Sequence, residues 1–371
     1  MPETTPDTSE IDVNQITFGC EFEVCIPDET PIRVGSYHDG IQVNSLPDGW
    51  NAQRDCSIQA PLNHQGVEVV SPILKGADGL RQIKAVCDWL NAIGAKVNRS
   101  TGFHVHVGWA ASREALKRLT HNVSNFETAL YASTGTHARE NGNFCRGVRN
   151  DQAYCDRIRD GTATGLPTNR YHILNLTNIG YDRRNTVEFR VFAGTTNATK
   201  ALGYIRLCLG LVEKSLRMKR STKWVGKTPV DTSPLHRKGQ GQTELTRLFY
   251  ALGWTKGDQK TVFGNIQPDG LPSLDEAKAI MMKMGKKYDG NQEEEPENLP
   301  VSEPWRNWDL PTWDAWFCSL RRGQIVHFND GRGTCCRAMF VRRYSRRILV
   351  QVSHLSQPVL VERGTLSPVG Y

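Results

Sequence analysis

Three short segments of the chain alternate polar and apolar residues, which is the pattern of a strand with one buried face. Side chains along a strand point alternately to its two faces, so polar residues two apart share a face and lie about 7 Å from each other. Each segment therefore predicts a strand that packs a core on one face and presents carboxylate, imidazole or guanidinium groups on the other. The segments are Glu21-Phe22-Glu23, His104-Val105-His106 and Glu188-Phe189-Arg190.

The spacing of apolar residues also predicts the elements around these strands. Residues 66–72 read as a strand in which Glu68 is the only charge, so Glu68 is expected to face the same cleft. A capping box at Ser273 and Glu276 predicts a helix that ends near residue 287. Residues 134–168 are polar and predict a mobile loop over a site. Further strands are predicted over 171–179 and 185–192, and helices over 78–93, 112–132, 198–218 and 243–252.

The chain divides into two predicted domains. Residues 289–304 are acidic and contain three prolines, which is typical of a linker. Short strands beyond them predict a small all-β module, an SH3-like barrel. The boundaries are a disordered lead-in at 1–14, a main α+β domain at 15–288, a linker at 289–312 and a basic β module at 313–371.

Composition places the chain among soluble globular proteins. Hydrophobic residues make up 38% and charged residues 23% of the 371. The sequence has neither a signal-peptide pattern nor a run of 18 apolar residues, so we expect a cytoplasmic protein without a membrane span. The ten cysteines form no CxxC pair, which makes a structural zinc site unexpected.

The charge of the chain is unevenly distributed. Residues 315–371 contain nine arginines, no lysine and only two acids, and so carry the whole formal excess of +7. A solvated basic surface is one interpretation of this pattern. The other is that residues 313–371 bind nucleic acid or an acidic protein, in an accessory role such as substrate recruitment.

The polar pairs carry the candidate chemistry. Glu21 and Glu23 repel each other on one strand face unless a cation lies between them, and hard carboxylate oxygens suit Mg²⁺ or Mn²⁺. Taken alone, the pair also fits a solvated strand face. His104 and His106 can bind a metal or contact phosphate, or they can be partly buried histidines with satisfied hydrogen bonds.

Glu188 and Arg190 have two interpretations. One is a buried ion pair. The spacing of two residues along a strand favours the other, in which the carboxylate faces a cation and the guanidinium faces a phosphate. Candidate substrate contacts are weaker, because their residue types also satisfy turns. These are Asp55, Ser57, Asn175 and Asn178.

Taken together, these motifs resemble the amidoligase family of bacteria and their phages, which are carboxylate–amine ligases with the glutamine synthetase fold. No Walker loop, dinucleotide fingerprint or nucleophile elbow is present. The resemblance covers roughly residues 15–220. It is carried by Gly19–Glu23, Trp50 with Asp55-Cys56-Ser57, Gly66–Leu74, Gly102–Gly108, Asn175-Leu176, Thr186–Phe192 and Gly194-Thr195.

The resemblance implies a fold and a ligand set. The fold is a curved antiparallel sheet with helices packed behind it, which holds ATP and two or three Mg²⁺ or Mn²⁺ ions. Nucleotide contacts would come from His106, Arg190 and Glu23, and catalysis would depend on Glu188, Arg190 and Glu68. The implied metal ligands are Glu21, Glu23, Glu68, His104 and Glu188.

The predicted reaction is ATP-dependent amide or isopeptide formation through an acyl phosphate. Three alternatives stay open: a guanidino-kinase-like phosphotransferase on the same fold, a metal-dependent hydrolase built on His104 and His106, and a nucleic-acid-binding protein led by residues 313–371. The sequence does not identify the acid or the amine, which can be a small molecule, a peptide or a modified nucleotide. It also leaves the oligomeric state open.

Overall fold

The computed structural model is described over the residues that position the candidate site and over five strands near the C-terminus. The predicted lead-in lies outside the described residues, and of the predicted linker only residues 289 and 290 are described. The described ranges are 16–36, 39–109, 112–149, 151–160, 166–179, 185–218, 241–254, 268–290, 325–329, 335–343, 347–351, 359–362 and 366–368.

An antiparallel sheet of eight strands forms the centre of the main domain. Its order is β2-β3-β4-β1-β6-β8-β7, and the short β5 pairs with one end of β1. The long β1 therefore lies between β4 and β6, beside the strands that carry Glu68 and the two histidines. The strands are β1 Thr17–Pro27, β2 Ile41–Gln42, β3 Asn51–Arg54, β4 His64–Val70, β5 Leu74–Lys75, β6 Gly102–Gly108, β7 Leu174–Asn175 and β8 Thr186–Ala193.

Seven helices are described, and α5 is the most deeply buried of them. It contacts α1, α2, α7 and β6. Most of its residues are buried, as expected of a helix in the middle of a layer. The helices are α1 Gly76–Ala92, α2 Arg113–Asn125, α3 Glu127–Ala132, α4 Gln152–Asp160, α5 Ala198–Arg217, α6 Gly241–Ala251 and α7 Leu274–Gly290.

The core lies between the apolar face of the sheet and these helices. Phe22 of β1 and Phe103 of β6 pack edge to face, with their ring centroids 4.7 Å apart. Tyr204 of α5 stacks on Phe192 of β8, with a centroid distance of 4.3 Å. The predicted alternation along the strands is confirmed, because the residues between the polar pairs are fully or almost fully buried in this core.

Most predicted helices are confirmed, including their end signals. Ser112 accepts a hydrogen bond from the Ala115 N–H and caps α2. Ser273 and Glu276 form the predicted capping box at the start of α7. The predicted strand over 171–179 is shorter than expected, because only Leu174–Asn175 pair with β8.

The segment 134–168 differs from the predicted open loop. It includes α4, and the described residues 144–146 lie beside 171–173, with the Arg146 N–H bonded to the Tyr171 carbonyl. Cys145 and Arg139 in this segment are buried. Their burial shows that its N-terminal part is packed onto the domain.

Five strands near the C-terminus form a second antiparallel sheet, and the small all-β module expected there stays a prediction. The order of this sheet is β12-β11-β10-β9-β13. Closure into an SH3-like barrel stays a prediction. The strands are β9 Ile325–Asn329, β10 Cys335–Arg343, β11 Arg347–Gln351, β12 Val359–Glu362 and β13 Leu366–Pro368.

Among the described residues, no helix has the length and apolar character needed to span a bilayer.

Candidate active site

The register of the sheet brings the predicted polar residues together on β4, β1, β6 and β8. Each of these strands contributes a residue whose partner on the neighbouring strand is also polar. The side chains on the face opposite the helices therefore form one continuous polar cluster. The cross-strand pairs are Glu21 with His104, Glu23 with Glu68, and His106 with Glu188.

Glu21 orients both histidines. Its Oε2 lies 2.9 Å from Nδ1 of His104, and its Oε1 lies 3.0 Å from Nε2 of His106. The other ring nitrogen of His106 is 3.4 Å from the Thr186 hydroxyl. One carboxylate therefore fixes the orientation of both rings.

Glu23 and Glu68 lie on the opposite side of His104 and are each fixed by a short hydrogen bond. The Gly102 N–H donates to Glu23 Oε2 at 2.5 Å. The Gln53 amide donates to Glu68 Oε2 at 2.5 Å. Both carboxyl groups are buried, so they are held in place with little access to bulk water.

Glu188 and Arg190 form a buried ion pair, so the expectation that their spacing keeps the two side chains apart was wrong, whereas their roles toward a cation and a phosphate stay predictions. Arg190 Nη1 lies 2.5 Å from Glu188 Oε1. The reason is a bulge, because Phe189 pairs with Val105 whereas Phe192 pairs with Phe103. The extra residue in β8 breaks the regular spacing and lets the two side chains meet.

Asn175 and Phe144 complete the surroundings of this ion pair. The Asn175 amide donates to Glu188 Oε2 at 2.5 Å, and Arg190 Nε donates to the Phe144 carbonyl at 3.4 Å. Asn175 therefore orients a site carboxylate, and its contact with substrate stays a prediction. Both Glu188 and Arg190 are almost fully buried.

Opposite charges hold two of the carboxyl groups ionised. Burial by itself raises the pKa of Glu21, but His106 and His104 outweigh it and bring the pKa well below its usual range. Burial likewise raises the pKa of Glu188, but Arg190 and His106 outweigh it and lower the pKa. The Glu188 carboxylate in turn keeps the pKa of Arg190 above its ordinary value, against the effect of burial.

The pKa values of Glu68 and His106 are raised, in contrast to the lowered values of Glu21 and Glu188. Burial, followed by repulsion from Glu21, raises the pKa of Glu68 well above its usual range. Burial lowers the pKa of His106, but Glu21 and Glu188 outweigh it and raise the pKa. Without a bound cation the cluster thus favours protons on Glu68 and His106, which is the behaviour of a site with excess negative charge.

Two groups of side chains have a donor geometry that suits a metal ion. Glu21, His104 and Glu188 form one group, and Glu23, Glu68 and His104 form the other; within each group the donor atoms lie within 4.8 Å of one another. His104 Nε2 is buried, lacks a hydrogen-bond partner in the described part of the chain, and lies 3.5 Å from Glu23 Oε1. This orphaned nitrogen among carboxylates fits a divalent cation.

The other predicted substrate contacts lie outside this cluster. The Asp55 carboxylate accepts the Ser57 N–H at 2.7 Å, which is the turn interaction expected of these residue types. Asp55 is still near enough to raise the pKa of Glu68. Asn178 is buried, and its carbonyl accepts the N–H of Asn185.

Sequence reasoning missed the residues that hold the site in place. Gln53, Gly102 and Thr186 contact site residues, yet each belongs to a common residue type in a strand. Gly102 and Thr186 lie within the motifs that carry the family resemblance, whereas Gln53 lies outside them. Arg139 was also missed, because it lies in a segment that was predicted to be a loop.

Comparison with known families finds one match within the main domain. Residues 33–212 match the family model described as "Putative amidoligase enzyme". This match confirms the predicted resemblance to the amidoligase family over just under half of the chain, and it supports a ligase. The matched range contains Glu68, His104, His106, Glu188 and Arg190, whereas the two carboxylates of β1 precede it.

Comparison with individual proteins gives one distant structural likeness. A chain from the crystal structure of the complex between the prokaryotic ubiquitin-like protein Pup and its ligase PafA is similar over 75% of this chain and 65% of that chain, at 10% identity and a TM-score of 0.37. A likeness this distant says nothing about the activity of the present chain. No curated protein sequence matches it.

Proposed function

We propose that this protein is an ATP-dependent carboxylate–amine ligase that forms an amide or isopeptide bond through an acyl phosphate. The observation that carries the proposal is the polar face of the sheet, where three further carboxylates and two histidines lie beside the Glu188–Arg190 pair. The match of residues 33–212 to the amidoligase model supports amide formation as the reaction.

The chemistry explains why such a site is needed. A carboxylate resists attack by an amine because its oxide is a poor leaving group. An oxygen of the substrate carboxylate attacks the terminal phosphorus of ATP, ADP departs, and an acyl phosphate forms. The amine nitrogen then attacks the acyl carbon, phosphate departs with the former carboxylate oxygen, and the amine loses a proton to solvent.

Five residues would hold the divalent ions that accompany ATP. Mg²⁺ or Mn²⁺ bound there would supply positive charge for the phosphate oxygens. The two donor groups share His104, so one ring links both positions. The ligands are Glu21, Glu23, Glu68, His104 and Glu188.

Arg190 and His106 would contact the phosphates. The Glu188 carboxylate and the Phe144 carbonyl fix the Arg190 guanidinium from two directions, which orients it before substrate binds. Glu21 fixes His106 in the same way. Residues 134–149, which pack beside Arg190, would exclude water from the acyl phosphate.

The hydrolase alternative has less support from the geometry. A zinc hydrolase would use His104 and His106 as ligands of one ion, but neither of the two donor groups found in the described part of the chain contains His106. The guanidino-kinase alternative uses the same ligands, and its product is a phosphorylated compound instead of an amide.

The proposal is tested by incubating the protein with MgATP and pairs of carboxylates and amines, and reading the products by mass spectrometry. We expect ADP, phosphate and an amide in equal amounts. Glu188→Gln should reduce amide formation by at least about 100-fold, since it removes a metal ligand and the partner of Arg190. The matched control is Glu29→Gln at an exposed position near the end of β1, which should retain full activity. Near-normal ligation by Glu188→Gln would contradict the assignment.

A further inference from the structure

A second arginine reaches the polar face from the segment that follows α3. Arg139 is only 7% exposed, and its Nη2 donates to the backbone carbonyl of Arg190 at 2.7 Å. An ideal Cβ built on Gly102 would be 2.9 Å from Arg139 Nη2 and 2.9 Å from His104 Nε2. The guanidinium and the orphaned imidazole nitrogen are therefore at most about 6 Å apart.

The Arg139 guanidinium has unused hydrogen-bonding capacity. Its Nε is buried and lacks a hydrogen-bond partner among the described residues. Within the same part of the chain, no carboxylate lies at ion-pair distance from this guanidinium, whereas Arg190 has Glu188. A buried guanidinium with one backbone acceptor is costly unless an anion completes its surroundings.

The backbone around Arg139 is fixed from both sides. The Arg139 carbonyl accepts hydrogen bonds from the Gly142 N–H and the Cys145 thiol. His137 contacts the Glu140 carboxylate at 3.0 Å and the Tyr288 carbonyl of α7 at 3.0 Å. The guanidinium is thus held beside the site by a turn anchored to another helix, as expected of a group that is oriented in advance.

We propose that Arg139 is a second phosphate-binding residue of the active site, and that it contacts the terminal phosphoryl group of ATP together with Arg190. This inference rests on the proposed ligase function. The two arginines approach from different segments, and Arg139 lies beside the backbone of Arg190 and beside His104, a donor of both candidate metal groups. A phosphoryl group has enough oxygens to face the ions and both guanidinium groups at once.

The proposal is tested by nucleotide binding to the full chain, measured by calorimetry in excess Mg²⁺. The probes are ADP and the non-hydrolysable β,γ-imido analogue of ATP, which differ by the terminal phosphoryl group. Arg139→Gln should weaken binding of the analogue by about 10-fold or more and leave ADP binding unchanged. Arg139→Lys keeps the positive charge but loses the planar guanidinium that can donate two parallel hydrogen bonds. Its affinity for the analogue should therefore lie between those of Arg139→Gln and wild type. The matched control is Arg81→Gln, at an exposed arginine of α1, which should bind both nucleotides normally.

The outcomes separate this proposal from the one on which it rests. Wild-type protein that binds neither nucleotide contradicts the ligase function and, with it, the role of Arg139. If wild type binds both nucleotides and Arg139→Gln binds the analogue equally well, only the role of Arg139 is overturned. An equal loss of both nucleotides in Arg139→Gln also overturns it, because the residue would then support the fold rather than contact the terminal phosphoryl group.

Discussion

The Glu188–Arg190 ion pair allows a quantitative test of how the site is built. Both side chains are about 95% buried and they meet at 2.5 Å. Removing one partner of such a pair leaves the other as an uncompensated buried charge, which costs about 3–5 kcal/mol. Glu188→Gln should therefore lower the free energy of unfolding of the main domain by that amount in the absence of nucleotide.

A double-mutant cycle separates the pair from its surroundings. Arg190→Met alone should also destabilise the domain, because it leaves the Glu188 carboxylate buried without its cation. The double variant Glu188→Gln/Arg190→Met carries neither charge, so it should recover most of the stability while remaining inactive. The assay is urea denaturation followed by circular dichroism, with ligation measured in parallel. A double variant whose stability equals the sum of the two single losses would refute the reasoning.

Three further predictions concern residues around the site and elsewhere in the domain. Burial raises the pKa of Glu127 to about 7 in the folded protein, above its ordinary value of 4.5. The stability that this group contributes is therefore full below pH 4.5, and the free energy of unfolding should fall by about 3 kcal/mol as the pH rises through 7. Urea denaturation across this range should show the decrease, and Glu127→Gln should remove it. Gly102→Ala places a Cβ against Arg139 and His104. It should weaken Mn²⁺ binding, measured by electron paramagnetic resonance, by about 10-fold or more. Unchanged binding would show that these two side chains move aside without disturbing the site. Removal of divalent ions with EDTA should stop ATP turnover, and Mg²⁺ or Mn²⁺ should restore it, whereas turnover that survives EDTA would exclude the proposed ion sites.

The polar face could be predicted from the sequence because strand periodicity is a local property. Alternation in residues 21–23 and 104–106 places the polar side chains on one face whatever the neighbouring strands are. The apolar stripe of α1 and the capping box of α7 are local patterns as well, and both agree with the structure. The family resemblance then supplied the order of the motifs, which periodicity cannot give.

The contacts within the face could not be predicted, because they depend on register and on long-range packing. The bulge in β8 has no sequence signal, yet it brings Arg190 to Glu188 instead of a separate partner. Arg139 lies about fifty residues from Arg190 in the chain, and only the packing of its segment onto the sheet brings the two together. The same holds for Gln53, whose role follows from the pairing of β3 with β4.

The central claim is that the protein activates a carboxylate by phosphorylation on this sheet face. It is tested most directly with carboxylates labelled with heavy oxygen, incubated with MgATP and candidate amines, with the released phosphate examined by mass spectrometry. The account predicts that each amide formed is accompanied by one phosphate containing one labelled oxygen. Labelled amide with unlabelled phosphate, or a phosphorylated amine in place of an amide, would contradict it.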